Sequence, residues 1–101
     1  MSYAPYNAIT GKRYEGEVNI RTLTLKAVEL ETEDPRWLTF LQASERGYKV
    51  KKGSHGTNIR YMRFDEQSDE SGKKIRKMLY RTYRVFNATQ IEGIPRLSAQ
   101  D

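Results

Sequence analysis

Val50-Lys51-Lys52-Gly53-Ser54-His55-Gly56-Thr57 divides two kinds of sequence. Upstream of it, apolar residues recur with helical spacing; from Gly47 onward the period is two. The stretch itself reads as a tight β-turn between strands, with paired lysines, two glycines and a histidine. On its near side Tyr48 and Val50 share one face, with Lys49 and Lys51 on the other. On its far side residues 57–64 form a second strand, with Ile59 and Tyr61 inward and Arg60 and Met62 outward. Residues 65–74 are polar and contain Ser and Gly, which predicts a flexible loop. A long strand over about 75–87 follows, with apolar residues on both parities, so that either face could turn to the core. In it Tyr83 shares a face with Leu79 and Val85, which favours a core position. Tyr80 shares the opposite face with Arg76, Thr82 and Arg84, which makes it the better candidate for stacking.

Working back from the turn, Thr39 and Gln42 form a capping box for a helix over 40–46, with Gly47 as its left-handed stop. Asp34 with Pro35 at the first helical position is the less favoured start. Trp37, Phe40 and Leu41 would anchor this helix to the core. Ile20, Leu23, Ala27 and Leu30 lie at offsets 0, 3, 7 and 10, one face of an earlier helix with Asn19 as N-cap. Glu33-Asp34-Pro35 ends it, since the residue before proline resists helical geometry. Residues 7–13 read as a turn and Tyr14-Glu15-Gly16 as extended chain. Residues 88–91 read as one helical turn, with a frayed tail from about 96. The predicted fold is a single α+β domain over 1–101, two N-terminal helices packed on a small antiparallel sheet of about three strands.

The formal net charge of +5 is unevenly spread. Residues 47–86 hold 11 of the 18 lysines and arginines against 4 of the 13 acids, a net of +7 that leaves −2 for the rest. A localised basic face interleaved with rings points to a nucleic-acid partner. The absence of cysteine excludes disulfides, thiolate zinc sites and thiol catalysis, and fits a reducing cytoplasm. No apolar run approaches the roughly 20 residues of a membrane span, and Met1–Asn7 lacks a signal-peptide core, so neither membrane nor secretion is expected.

Lys51, Lys52, Gly53 and His55 fit a phosphate cradle of glycine N–H groups and ammonium charges. Taken alone they fit a plain glycine turn with solvated lysines better. The Gly-x-x-Gly spacing is that of the KH clamp, but the clamp joins helices and this turn joins strands. Arg60, Tyr61, Arg63, Tyr80, Arg81, Tyr83, Arg84 and Phe86 interleave cations with rings, as exposed bases and phosphates require. Their plain alternative is a tyrosine-rich core with solvated charges outside. Trp37 suits the core better than a stacking surface. His55, the only histidine, has no second histidine or cysteine beside it, so no metal site, cofactor or catalytic centre is expected. The acids at 15, 17, 29, 31, 33 and 34 read as a solvated helix face, with docking of a basic partner as the alternative.

Taken in order, several blocks are similar to a known family: residues 7–16 (Asn-Ala-Ile-Thr-Gly-Lys-Arg-Tyr-Glu-Gly), Asn19, residues 34–40 (Asp-Pro-Arg-Trp-Leu-Thr-Phe) with Gln42, Gly47, residues 50–53 with Gly56 and Thr57, residues 83–87, and residues 90–95. The chain resembles the N-terminal domain of ArdC-type plasmid antirestriction proteins, a domain also found in conjugative-plasmid primases. The resemblance implies a single-stranded-DNA-binding module that coats incoming DNA and shields it from host nucleases. It also implies a metallopeptidase-like domain after this one in a longer parent protein. The His-Glu-x-x-His motif of that domain is absent here, so no proteolytic activity carries over. An excised domain and a short stand-alone protein fit the sequence equally.

The expected function is therefore sequence-tolerant single-stranded DNA binding, with no enzymatic activity and no small-molecule substrate. Lys12, Arg13, Lys49, Lys51, Lys52, Arg60, Arg63, Arg81 and Arg84 would neutralise phosphates. Tyr61, Tyr80 and Tyr83 would stack, with Gly53 and His55 in the turn. Charge and ring faces do not read base edges, so sequence preference should be slight. The rival readings are a protein module that inhibits a restriction enzyme directly, and a duplex-DNA or RNA binder. DNA mimicry needs an acidic surface, which a net charge of +5 opposes.

Overall fold

One long antiparallel ribbon dominates the computed structural model, which describes residues 3–97. Strand β4 (Thr57–Ser68) pairs with β5 (Lys74–Asn87) without a break, from Thr57 opposite Val85 to Ser68 opposite Lys74. β5 is also the partner of β2 (Arg36–Thr39), which pairs in parallel with β1 (Tyr6–Asn7), so the sheet order is β1-β2-β5-β4. A second sheet joins β3 (Lys49–Val50) to β6 (Ile91–Glu92). Helix α1 covers Glu17–Glu29 and α2 covers Phe40–Glu45. Among the described residues the fold is α+β with two α-helices, as expected, but with six strands in two sheets rather than about three in one.

Two sequence expectations about this ribbon are corrected. The 50–57 segment does not turn one strand onto the next. It carries the chain between sheets, since β3 pairs with β6 and β4 with β5. The hairpin lies where a loop was expected. Strand continues through residue 68 and resumes at 74, leaving a turn in which the Asp69 carboxylate accepts from Ser71 N–H (2.9 Å), Ser71 Oγ–H (2.7 Å) and Lys73 N–H (2.8 Å). Charge hid the alternation: Asp65 stands opposite Lys77 and Glu66 opposite Arg76, cross-strand pairs that favour the sheet. The expected tail from about 96 falls mostly on residues 98–101, which lie outside the described residues.

The core sits on both faces of the sheet, divided by neighbours on β2. Trp37 packs with Tyr14, Leu23, Ala27, Ile59 and Val85 beneath α1. Leu38 points the other way, onto Ala43, Phe86 and Ile91 beneath α2. Trp37 is fully buried, as predicted, and its Nε1–H donates to Tyr3 Oη at 2.8 Å. Phe40 and Leu41 do not anchor α2. They are 62% and 65% exposed, because a six-residue helix offers little more than one turn and Ala43 takes the inward position. The Thr39/Gln42 capping box forms as expected, and Gly47 follows at φ +76°.

Asn19 is not the N-cap of α1. Gly16 holds that place at φ +92°, and Asn19 is buried one turn further in. Its Nδ2–H donates to Arg60 O at 2.6 Å and Glu15 O at 3.2 Å, and its Oδ1 accepts from Arg60 N–H at 3.0 Å. One side-chain amide thus supplies both bonds that a neighbouring strand would give the outer edge of β4. None of the described helices is long and apolar enough to cross a membrane.

Candidate nucleic-acid interface

The 7–13 turn is built around Asn7. Its Oδ1 accepts from Ile9 N–H (2.9 Å) and Thr10 N–H (3.0 Å), the side-chain mimic of a backbone turn. Its backbone N–H donates to Lys12 O, and Gly11 N–H to Asn7 O, both at 2.8 Å. Gly11 sits at φ +75°, where a side chain would be strained. The loop returns beside β1, where Arg13 pairs with Tyr6. Asn7 Nδ2–H also donates to Gln42 Oε1 at 2.9 Å, which in turn accepts from Thr39 N–H at 3.0 Å. The capping-box glutamine therefore locks the loop to the start of α2, and so fixes Lys12 and Arg13 in space.

Lys12 and Arg13 form one wall of a cleft of about 880 Å³. The other wall is the inner face of the ribbon, with Tyr61 and Arg63 from β4 and Arg81 and Tyr83 from β5. Tyr14, Ile59 and Val85 make an apolar floor. Tyr61 and Tyr83 meet edge to face, with ring centroids 5.7 Å apart and planes at 72°. Both are partly open, 37% and 42% exposed. Four cations therefore share the lining with two tyrosine rings, and Glu15 is the one acid there among the described residues.

Burial pushes the Tyr14 hydroxyl up to about 12, opposed by the hydrogen bond from Asn7 and aided by Tyr61. Tyr61 is raised too, by burial first and then by Glu15 and Tyr83. These rings stay neutral at physiological pH, so the cleft keeps its positive charge and presents π faces with hydroxyl donors.

The residues singled out in the sequence divide among three places. Lys12, Arg13, Tyr61, Arg63, Arg81 and Tyr83 come together at the cleft. Arg60, Tyr80 and Arg84 point to the opposite face of the ribbon, by strand parity. Lys49, Lys51, Lys52, Gly53 and His55 lie on or beside the small second sheet and line none of the cleft. Their segment is tied down by Lys51 N–H to Gln90 O (2.8 Å) and Gln90 Nε2–H to His55 O (3.1 Å). Tyr83 corrects the sequence reading. It shares a face with buried Val85, but it lies two residues further along the ribbon, at the cleft wall rather than in the core. Tyr80 is corrected in the opposite sense: the preferred stacking candidate, 61% exposed, is on the far side beside Met62 and lines none of the cleft.

Asn7, Thr10, Tyr14 and Gln42 line the cleft and were not expected there. The Asn-x-x-x-Gly turn and the capping box were both visible in the sequence. Nothing local indicated that the two would meet across 35 residues.

Comparison with known proteins converges on one family. The family model described as the N-terminal domain of anti-restriction factor ArdC matches residues 1–86. Two Escherichia coli proteins named DNA primase TraC are each 34% identical, over 99% and 95% of this chain. The chain spans only 11% and 8% of their lengths. The metal-free structure of antirestriction ArdC protein from the R388 plasmid is 34% identical over 91% of this chain, with a TM-score of 0.77. The Mn(II)-bound structure of that protein is 33% identical over 92%, with a TM-score of 0.67. This chain spans 33% and 36% of those two chains. Among the described residues no three His, Cys, Asp or Glu side chains gather to hold such a metal. With the fold and most of the sequence in agreement, the chain belongs to the family of ArdC N-terminal domains.

Proposed function

We propose that this domain binds single-stranded DNA in the cleft, with little base preference, and does so without catalysing a reaction. In this reading it is the DNA-holding part of an antirestriction protein that shields incoming plasmid or phage DNA from host nucleases in the cytoplasm. The carrying observation is the pairing of Tyr61 and Tyr83 between Lys12, Arg13, Arg63 and Arg81. A single strand presents alternating phosphates and bare base faces, and this wall presents cations around rings. Family membership supports the antirestriction context.

A fluorescence titration with a labelled oligonucleotide at several salt concentrations tests the proposal. Four phosphate contacts predict a slope of log K against log[salt] of roughly −3, from about −0.7 per phosphate on single strands. Unlabelled single-stranded DNA should compete better than duplex or RNA of equal length. A Lys51→Ala/Lys52→Ala double variant should keep nearly full affinity, while Arg63→Ala/Arg81→Ala should lose it and flatten the slope. A slope near zero, or a preference for duplex, would overturn the proposal.

A further inference from the structure

The outer edge of β4 is open beyond Arg60. β4 ends the sheet order, and among the described residues no backbone or side-chain group bonds its outer edge except Asn19 at Arg60. Because Arg60 turns its N–H and C=O outward and the ladder with β5 runs without a bulge, Met62, Phe64, Glu66 and Ser68 must also turn theirs outward. Natural edges are guarded by proline, charged side chains, bulges, cover or brevity. Residues 61–68 have no proline, lysine or bulge, and their charges, Arg63, Asp65 and Glu66, are of both signs and so can pair across a seam.

From this we infer that the β4 edge is a self-pairing interface: two copies of this chain join antiparallel across a two-fold axis at Phe64. The charge order selects that axis. Centred on Phe64, Arg63 faces Asp65 of the second copy, twice, and Met62 faces Glu66. Axes at 63, 65 or 66 would set Arg63, Asp65 or Glu66 against itself. An axis at 62 would need the outward groups of Arg60, which Asn19 already occupies. The Phe64 register pairs 62 with 66, 64 with 64 and 66 with 62, giving about six hydrogen bonds at two per narrow pair. It also joins the two apolar faces on one side. Met62, Phe64, Met78 and Tyr80 are each about half exposed or more and share that face, with Arg76 stacked 4.7 Å over Phe64. Asn19 thus acts as a stop that sets how far the second copy can pair.

Sedimentation over a concentration series tests this on the chain itself. The mass should rise from 11.8 kDa toward twice that value. Phe64→Pro removes an outward N–H without touching the bonds to β5, and should hold the chain monomeric at every concentration. Asp65→Arg sets arginine against Arg63 of the second copy and should also abolish association. Adding Arg63→Asp to it restores opposite charges and should restore the dimer. This rescue decides the matter even if the proline variant does not fold. A wild type that stays monomeric, an association that survives Phe64→Pro in a folded protein, or a charge swap that fails to rescue would each overturn the inference. Phe64 faces away from the cleft, so the folded proline variant should still bind oligonucleotides, whichever way the dimer test falls.

Discussion

Replacing Asn19 by Ala tests how the ribbon is held to the rest of the domain. The substitution removes the bonds to Arg60 N–H and O, at 3.0 and 2.6 Å, and leaves those groups to water. The two bonds to Arg60, at about 0.5–1.5 kcal/mol each, give roughly 1–3 kcal/mol, and the longer bond to Glu15 O at 3.2 Å is lost with them. Alanine is the better helix former by up to about 0.7 kcal/mol, so the net loss should be roughly 1–2 kcal/mol. For a domain this size that lowers the Tm by roughly 5–15 °C. Asn19→Asp should cost more at neutral pH, because a buried carboxylate would face the Arg60 carbonyl with no proton to give. Its folded pKa would be raised above the unfolded value. The deficit relative to wild type should therefore shrink as pH falls toward about 4, where the acid becomes protonated and can donate again. Thermal melts by circular dichroism, with amide exchange at Arg60, measure both effects. An alanine variant that melts with the wild type and keeps the Arg60 amide protected would refute the clamp.

Three further outcomes follow from the geometry. Tyr83→Ala should stay folded and lose about 1–3 kcal/mol of oligonucleotide binding, while Tyr80→Ala on the opposite face should bind as wild type; melts beside titrations distinguish them. Burial raises Tyr3 and Tyr14 to about 12, so alkaline absorbance titration should show these two among the last tyrosines to ionise. Their contribution to stability is complete below about pH 10, the unfolded value, and is lost as pH rises from there toward 12. Hydrogen bonds from Ser71 and Lys73 lower the pKa of Asp69, so the tip of the ribbon should hold above its ordinary value of 3.8 and open as pH falls below it. Chemical shifts of the Ser71 and Lys73 amides report this, and Asp69→Asn, which keeps an acceptor, should abolish the pH dependence.

What was legible in the sequence was mostly local. The capping box at Thr39 and Gln42, the stop at Gly47 and the turn at residues 7–13 depend on neighbours a few residues apart. The 65–74 segment was misread because opposite charges on facing strands look, along one strand, like a polar loop. Asn19 was misread for a related reason: a helix-capping residue type sits near a helix start, and only the third dimension shows Arg60 beside it. For the site, the cations and rings were visible, but not their sorting. Strand parity separates Arg60, Tyr80 and Arg84 from the cleft residues, yet which face closes into a cleft depends on the 7–13 loop. That loop is placed by Gln42, 35 residues away.

The central position of β5 also bears on how the chain assembles. Its ribbon with β4 closes across a short turn, so those contacts are local and cheap in loop entropy. The junction of Trp37 with Asn87 and Thr39 with Val85 is another matter, since it spans about half the chain. Until residues 85–87 are available, β2 has only the two-residue strand β1 beside it, and neither core cluster can be completed. During synthesis the helices and β2 emerge first and must wait, with Trp37 and Leu38 only partly covered, for the last strand of the main sheet. The topology thus makes folding a nearly all-or-none event tied to the delivery of a few residues near the C-terminal end of the domain.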